Sequence, residues 1–288
     1  MSNSTLVKAQ ATVASSTTVS NLPHYPTALI GREREVATAC NLLQRPDVRL
    51  LTFSGPGGTG KTRLSLQVAA KLASHFADGV HFVALSAITD PRLALINLAQ
   101  TLGLKENSQQ DVIEVIKQYV QNKRLLLVLD NLEQVLGLVT HISDLLMAAP
   151  ELKFLITSRN VLHSYGEYEF IVPTLAFPDL SQNQATSQIL KYDAVRLFVE
   201  RTQAVRPDFI LDDDNAPAVA EICRRLDGLP LALELAAARS KLFTPQSMLT
   251  RLGSRLKLLT GGAASMPARH QALRSTLDWS YNLLTAPE

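Results

Sequence analysis

One segment constrains this chain more than any other: Gly55-Pro56-Gly57-Gly58-Thr59-Gly60-Lys61-Thr62. It fits the pattern G-x-x-x-x-G-K-[ST], in which glycines let successive backbone N–H groups turn inward toward an anion. Its setting fits as well. The apolar run Arg49–Ser54 before it reads as a buried strand. Lys61–Phe76 after it reads as a helix, with Leu64, Val68 and Leu72 on one stripe. Strand, glycine turn and helix in that order add the positive end of a helix dipole to the inward amides. The segment is therefore a cradle for a phosphate chain, formed by Gly55, Gly57, Gly58, Thr59, Gly60, Lys61, Thr62 and Arg63. Lys61 is expected to reach the β- and γ-phosphates, and Thr62 to offer its hydroxyl to Mg²⁺. The expected ligands are ATP or ADP with Mg²⁺.

Around that cradle, short apolar runs alternate with helical periodicity. Further strands are expected at Val80–Leu85, Arg124–Leu129, Lys153–Thr157 and Tyr168–Val172. Helices are expected from Pro91 to Gly103 (capped by Asp90), at Val112–Val120 (opened by Ser108 and Asp111), and at Leu132–Ala148. Runs that are apolar on both faces, separated by helices, imply a parallel sheet covered on each side. The fold class expected is thus α/β, a five-stranded parallel sheet of the P-loop NTPase kind. The polar stretch Pro173–Lys191 reads as a linker. Beyond it only helices are expected, at about Tyr192–Ala204, Pro217–Leu226, Pro230–Ser240 and Pro245–Leu252, then Arg269–Leu284 after Gly261-Gly262. The organisation expected is a disordered tail over 1–25, with too little apolar surface to offset its ordering entropy, a nucleotide-binding domain over 26–175, a linker over 176–190, a helical lid over 191–262 and a last piece over 263–288.

Three further positions carry candidate chemistry. Asp130 closes the most apolar strand and is placed to hold Mg²⁺ directly or through water. Asn131 follows where a second acid would often activate water, which implies slow hydrolysis. Glu133 is either an alternative base or a first-turn helix acid favoured by the dipole. Arg159 closes the fourth strand at the edge where ligands of open α/β sheets sit. Two readings of it stand side by side: a bidentate contact to the γ-phosphate, or a surface arginine. Locally, Ile30-Gly31-Arg32-Glu33 reads as a solvated helix start, and Gly228-Leu229-Pro230 as a turn with a proline at the first helical position.

Charge and composition narrow the class. A formal net charge of +2 calls for no polyanionic partner, and no basic stripe is visible, so no intrinsic DNA binding is expected. No apolar run reaches the length of a membrane helix, and the first residues lack the form of a signal peptide. Two cysteines, Cys40 and Cys223, stand far apart without a metal-binding pattern. A cytoplasmic protein is expected.

The ordered set of motifs resembles the STAND class of signal-transduction NTPases, specifically NB-ARC-type ATPases of bacterial regulators of the LuxR and SARP kinds. The matching segments are LIGREREV at 29–36, FSGPGGTGKTRL at 53–64, LLLVLDNLEQV at 125–135, LITSR at 155–159 and AEICRRLDGLPLALELAAAR at 220–239. The resemblance implies that Ile30 and Arg32 line the adenine and ribose and that Arg159 senses the γ-phosphate. It also implies that Gly228 and Pro230 place a helical lid over the base, and that a strand lies between the two Walker strands. An ADP-to-ATP switch with slow hydrolysis follows, with a protein partner or self-association and a role in signalling or transcription regulation. The alternative is a non-hydrolysing, nucleotide-bound scaffold of a DNA-associated regulator. In the family, the stretch near Arg269–Leu284 opens a winged helix, and this chain stops at Glu288.

Overall fold

The computed structural model describes residues 20–105, 110–179 and 184–259. The last helix expected from sequence, Arg269–Leu284, and with it the start of a winged helix, lies outside them.

A first helix, α1 (Glu33–Gln44), leads into β1 (Leu50–Ser54) and, through the glycine segment, into α2 (Lys61–Leu72). There follow β2 (Val80–Ala84), α3 (Pro91–Thr101), α4 (Val112–Val120), β3 (Leu126–Asp130), α5 (Leu138–Ala148), β4 (Lys153–Thr157) and β5 (Glu167–Ile171). Local chemistry sets these boundaries. Pro91 occupies the first turn of α3, and the Asp90 carboxylate accepts from Arg92 N–H at 2.7 Å, satisfying an amide that the helix leaves open. Asp111 caps α4 in the same way.

The five strands form one sheet in the order β2-β3-β4-β1-β5, and all pair in parallel. The strand inserted between β1 and β3 is β4, the arrangement implied by the resemblance. Strands β1 and β3 are buried at every position, as strands covered on both faces must be. Leu51, Phe53, Val128 and Leu155 pack with Leu64 and Val68 of α2 and Val36 of α1 on one face. Leu50, Leu127, Leu129 and Phe154 meet the stripes of α3, α4 and α5 on the other.

A second core is built mainly by helices: α6 (Thr186–Ile189), α7 (Asp193–Val205), α8 (Ala216–Arg225), α9 (Pro230–Ala238) and α10 (Pro245–Leu259). Phe198, Val219, Leu233 and Met248 are at its centre.

Two expectations need correction. The segment Leu132–Ala148 is not one helix: a 3-10 turn over Leu132–Gln134 and Gly137 precede α5. The chain turns there because Asn131 adopts a left-handed conformation, φ 62°, which asparagine tolerates better than most residues. Ile30 and Arg32 are buried rather than solvated, at 8% and 4% exposure. The stretch expected as a linker is described over 176–179 and 184–190. Leu175 and Phe177 pack into the helical core, Leu175 N–H donates to Gly228 C=O at 2.9 Å, and α6 forms within it.

Candidate nucleotide-binding site

The glycine segment joins β1 to α2 at the C-terminal edge of the sheet. Gly55, Gly58 and Gly60 have φ of 139°, 83° and 90°, values that residues with a Cβ rarely adopt. The first bond of α2 runs from Leu64 N–H to Gly60 C=O at 2.9 Å. The amides of Lys61, Thr62 and Arg63 therefore have no helical acceptor and face the loop. Such a helix start, with its dipole, favours an anion.

Lys61 is 7% exposed and curls over the loop, its Nζ donating to Gly55 C=O at 2.7 Å and Pro56 C=O at 2.9 Å. Burial lowers its pKa, and the carboxylates of Glu133 and Asp130 act in the opposite sense, Glu133 more strongly. Thr62 Oγ1 donates to Asp130 Oδ1 at 2.7 Å, so the hydroxyl and the strand-end acid expected to hold a metal are brought together. Thr157 Oγ1 donates to the same Oδ1 at 2.6 Å and accepts from Asn131 N–H at 2.9 Å. Thr157 at the end of β4 thereby fixes both Asp130 and the turn after it. Among the described residues no three His, Cys, Asp or Glu side chains cluster as a metal cage. One hydroxyl and one carboxylate, Thr62 and Asp130, are the kind of donor set Mg²⁺ takes, its shell being completed by water and phosphate.

Arg32 ties the cradle down. Its Nη2 donates to Thr59 C=O at 3.1 Å and Pro173 C=O at 2.7 Å, and its Nη1 pairs with Glu35 at 3.2 Å. Burial depresses its pKa, with Glu35 partly compensating. Arg159 is 55% exposed and pairs with Glu133 through Nε–Oε1 at 3.2 Å.

The helical unit covers the cradle. Leu231 N–H, in the first turn of α9, donates to Gly58 C=O at 3.2 Å. Between the two lies a cavity of about 280 Å³. Gly57 to Arg63 with Asn131, Glu133 and Arg159 form its polar side, and Leu29, Ile30, Leu175, Leu197 and Leu231 its apolar wall. Arg32 and Pro230 also border it, whereas Gly228 acts behind it by seating the linker. A larger hollow of about 1050 Å³ between α3, α4 and α5 contains no glycine cradle.

Sequence reasoning passed over Glu234, Arg201 and Thr27. Glu234 Oε1 accepts from Arg201 Nε at 3.0 Å and Arg63 Nη1 at 3.5 Å, while Arg63 Nη2 donates to Thr27 C=O at 2.7 Å. This clasp joins α9, α7 and α2 at the rim of the cavity. One signal was visible: Glu234 is the lone acid in the apolar run LALELAAA.

Part of the chain matches a known family, and several bacterial proteins are similar to it in sequence. Residues 32–168 match the family model described as the NB-ARC domain. A protein of Mycobacterium tuberculosis named as a candidate HTH-type transcriptional regulator is 39% identical over 83% of this chain and 26% of its own length. An uncharacterized protein of the same organism is 38% identical over 91% of this chain and 63% of its own. Regulatory protein AfsR of Streptomyces griseus is 24% identical over 65% of this chain and 18% of its length. The chain spans about a quarter of the regulator-named mycobacterial relative. Among solved structures, a STAND protein of Pyrococcus horikoshii overlaps at a TM-score of 0.45 and 15% identity, covering 88% of this chain and 40% of that one. With its glycine cradle, its sheet order and these sequence matches, the stretch from residue 32 to residue 168 is an NB-ARC domain, shared with bacterial proteins named as regulators.

Proposed function

We propose that this chain is an ATP/ADP-binding switch with slow, Mg²⁺-dependent hydrolysis, the nucleotide-responsive part of a signalling or transcriptional regulator. One observation carries the reading: a single cavity has the phosphate cradle as one wall and a helical lid, bonded to the cradle at Leu231–Gly58, as the other. On this reading residues 26–175 bind the nucleotide and 191–262 are the lid. The amides of the glycine segment and Lys61 take the phosphates, Lys61 exchanging two loop carbonyls for phosphate oxygens. Thr62 and Asp130 hold Mg²⁺, which supplies charge neutralisation at the β- and γ-oxygens when bound. Ile30 and the leucine wall receive the base, and Arg159 meets the γ-phosphate.

At about 280 Å³ the cavity is at the lower edge of small-molecule clefts, which run from roughly 300 Å³ upward. On this reading the lid moves when a triphosphate enters, and that movement is the switch. A protein partner or a second copy of the chain is the expected reader of that movement. The test is calorimetric titration with ADP and ATP, with and without Mg²⁺, followed by phosphate release. Micromolar or tighter binding with turnover well below about 1 per second is expected. Absence of nucleotide binding would end the proposal.

A second reading, a scaffold that holds nucleotide without cleaving it, is favoured by Asn131, which places an amide beside Asp130 where a second acid would serve. Phosphate release from bound ATP separates the two.

A further inference from the structure

The 3-10 turn after β3 places one carboxylate where a straight helix would not. Glu133 is 14% exposed and borders the cavity. Its Oε1 accepts from Arg159 Nε at 3.2 Å, while its Oε2 is buried without a hydrogen-bond partner. A buried carboxylate oxygen without a donor is costly, so the site asks for a small donor from within the cavity, and water is one that fits. Glu133 is also the carboxylate with the strongest electrostatic effect on Lys61. Arg159 is more than half exposed and is free to swing from one anion to another.

Resting on the nucleotide-switch reading above, we infer that Glu133 is the catalytic base and that Arg159 is exchanged between Glu133 and the γ-phosphate. Before a triphosphate binds, Arg159 holds Oε1 and Oε2 awaits a water. When the γ-phosphate arrives, it draws Arg159 away, and the carboxylate is left with that water as its hydrogen-bond partner. The water oxygen then forms its bond to the γ-phosphorus as the bond from phosphorus to the β-bridging oxygen breaks. The electron pair leaves with ADP, and the water proton passes to Glu133. One arginine thus couples the sensing of triphosphate to the release of the base.

Glu133→Gln keeps the shape and removes the charge. Single-turnover cleavage of bound ATP is expected to fall about 100-fold, within the range for general-base catalysis. Because Arg159 is then released more readily, the preference for ATP over ADP is expected to rise by roughly two- to fivefold, the scale of a half-exposed ion pair. Arg159→Gln, which breaks the pair from the other side, should bring the affinities for ATP and ADP together. Unchanged cleavage in Glu133→Gln would overturn the inference. Equal loss of ATP and ADP binding would also overturn it, because that marks a structural role. A wild-type chain that binds ATP but never cleaves it would sink this inference while leaving nucleotide binding intact. Failure to bind either nucleotide would sink the switch reading itself.

Discussion

Lys61, Thr62, Asp130 and Thr157 form one connected set, and the partners of each decide what its removal does. Lys61 donates to two loop carbonyls, so its substitution leaves those carbonyls to water and takes the cation from the cradle. Charge-assisted hydrogen bonds contribute about 1.5–3 kcal/mol each. Lys61→Ala is therefore expected to weaken ATP binding at least tenfold, which calorimetry would show. Asp130 accepts from two hydroxyls at 2.7 and 2.6 Å, and an asparagine oxygen can still accept both. Asp130→Asn should accordingly leave binding in EDTA within about threefold while abolishing most of the gain from Mg²⁺. An equal loss with and without Mg²⁺ would refute the metal role. Thr157 was passed over in sequence because a threonine at a strand end is ordinary. Only its position across from Asp130 shows what it does.

Among the elements, the turn before α9 depends on one residue. Gly228 has φ of 62°, and a Cβ added there would stand 2.1 Å from the Leu175 carbonyl oxygen. That carbonyl belongs to backbone and cannot step aside like a flexible side chain. Left-handed strain alone costs about 1–3 kcal/mol at a residue with a Cβ, and the clash adds to it. Gly228→Ala should lower the melting temperature by several degrees and loosen the lid, seen as faster hydrogen exchange at Leu231. On α8, Arg224 and Arg225 both donate to Glu221, at 2.6–2.8 Å. The two arginines thus form an ion-pair set with Glu221 on one helix face. The hydrogen bond from Arg224, seconded by Arg225, takes the Glu221 carboxyl from 4.5 to about 2. A carboxyl depressed on folding stabilises the fold above its ordinary value and loses that contribution as pH falls toward the lowered one. The stability gap between wild type and Glu221→Gln should therefore close between about pH 4.5 and about 2, and stay small throughout because the group is solvent-screened. A gap that widens in acid would contradict the sign.

For the molecule as a whole, the clasp at Glu234 matters most. It gathers Arg63 beside the phosphate cradle and Arg201 of the helical unit, with Arg63 also holding Thr27. Glu234→Ala removes the shared anion and leaves two arginines facing each other. Dissociation of a fluorescent ADP analogue should quicken by roughly tenfold, since losing one partner of a part-buried charge set costs on the order of 1–3 kcal/mol. Overall secondary structure should not change, because the Glu234 side chain is 32% exposed and belongs to neither core. No helix among the described residues is long and apolar enough to cross a membrane.

The sequence by itself determined the elements that depend on neighbours along the chain. The glycine cradle, the cap at Asp90, the apolar strands and the proline-led helices are local effects of backbone freedom, hydrogen-bonding side chains and periodicity. The set Lys61, Thr62 and Asp130 was legible for the same reason: strand-end and loop positions are fixed by the elements they terminate. The tertiary structure alone decided the rest. Arg32 is buried because Thr59 and Pro173 approach from distant parts of the chain. The helix expected at Leu132 gave way to a turn because Asn131 is held by Thr157 on another strand. Glu133 faces Arg159, and Glu234 faces Arg63, across gaps that the sequence does not encode as spacing. Pairing between charges far apart in sequence depends on how sheets and helices are stacked, and periodicity reports only which face of an element is buried, never what lies opposite it.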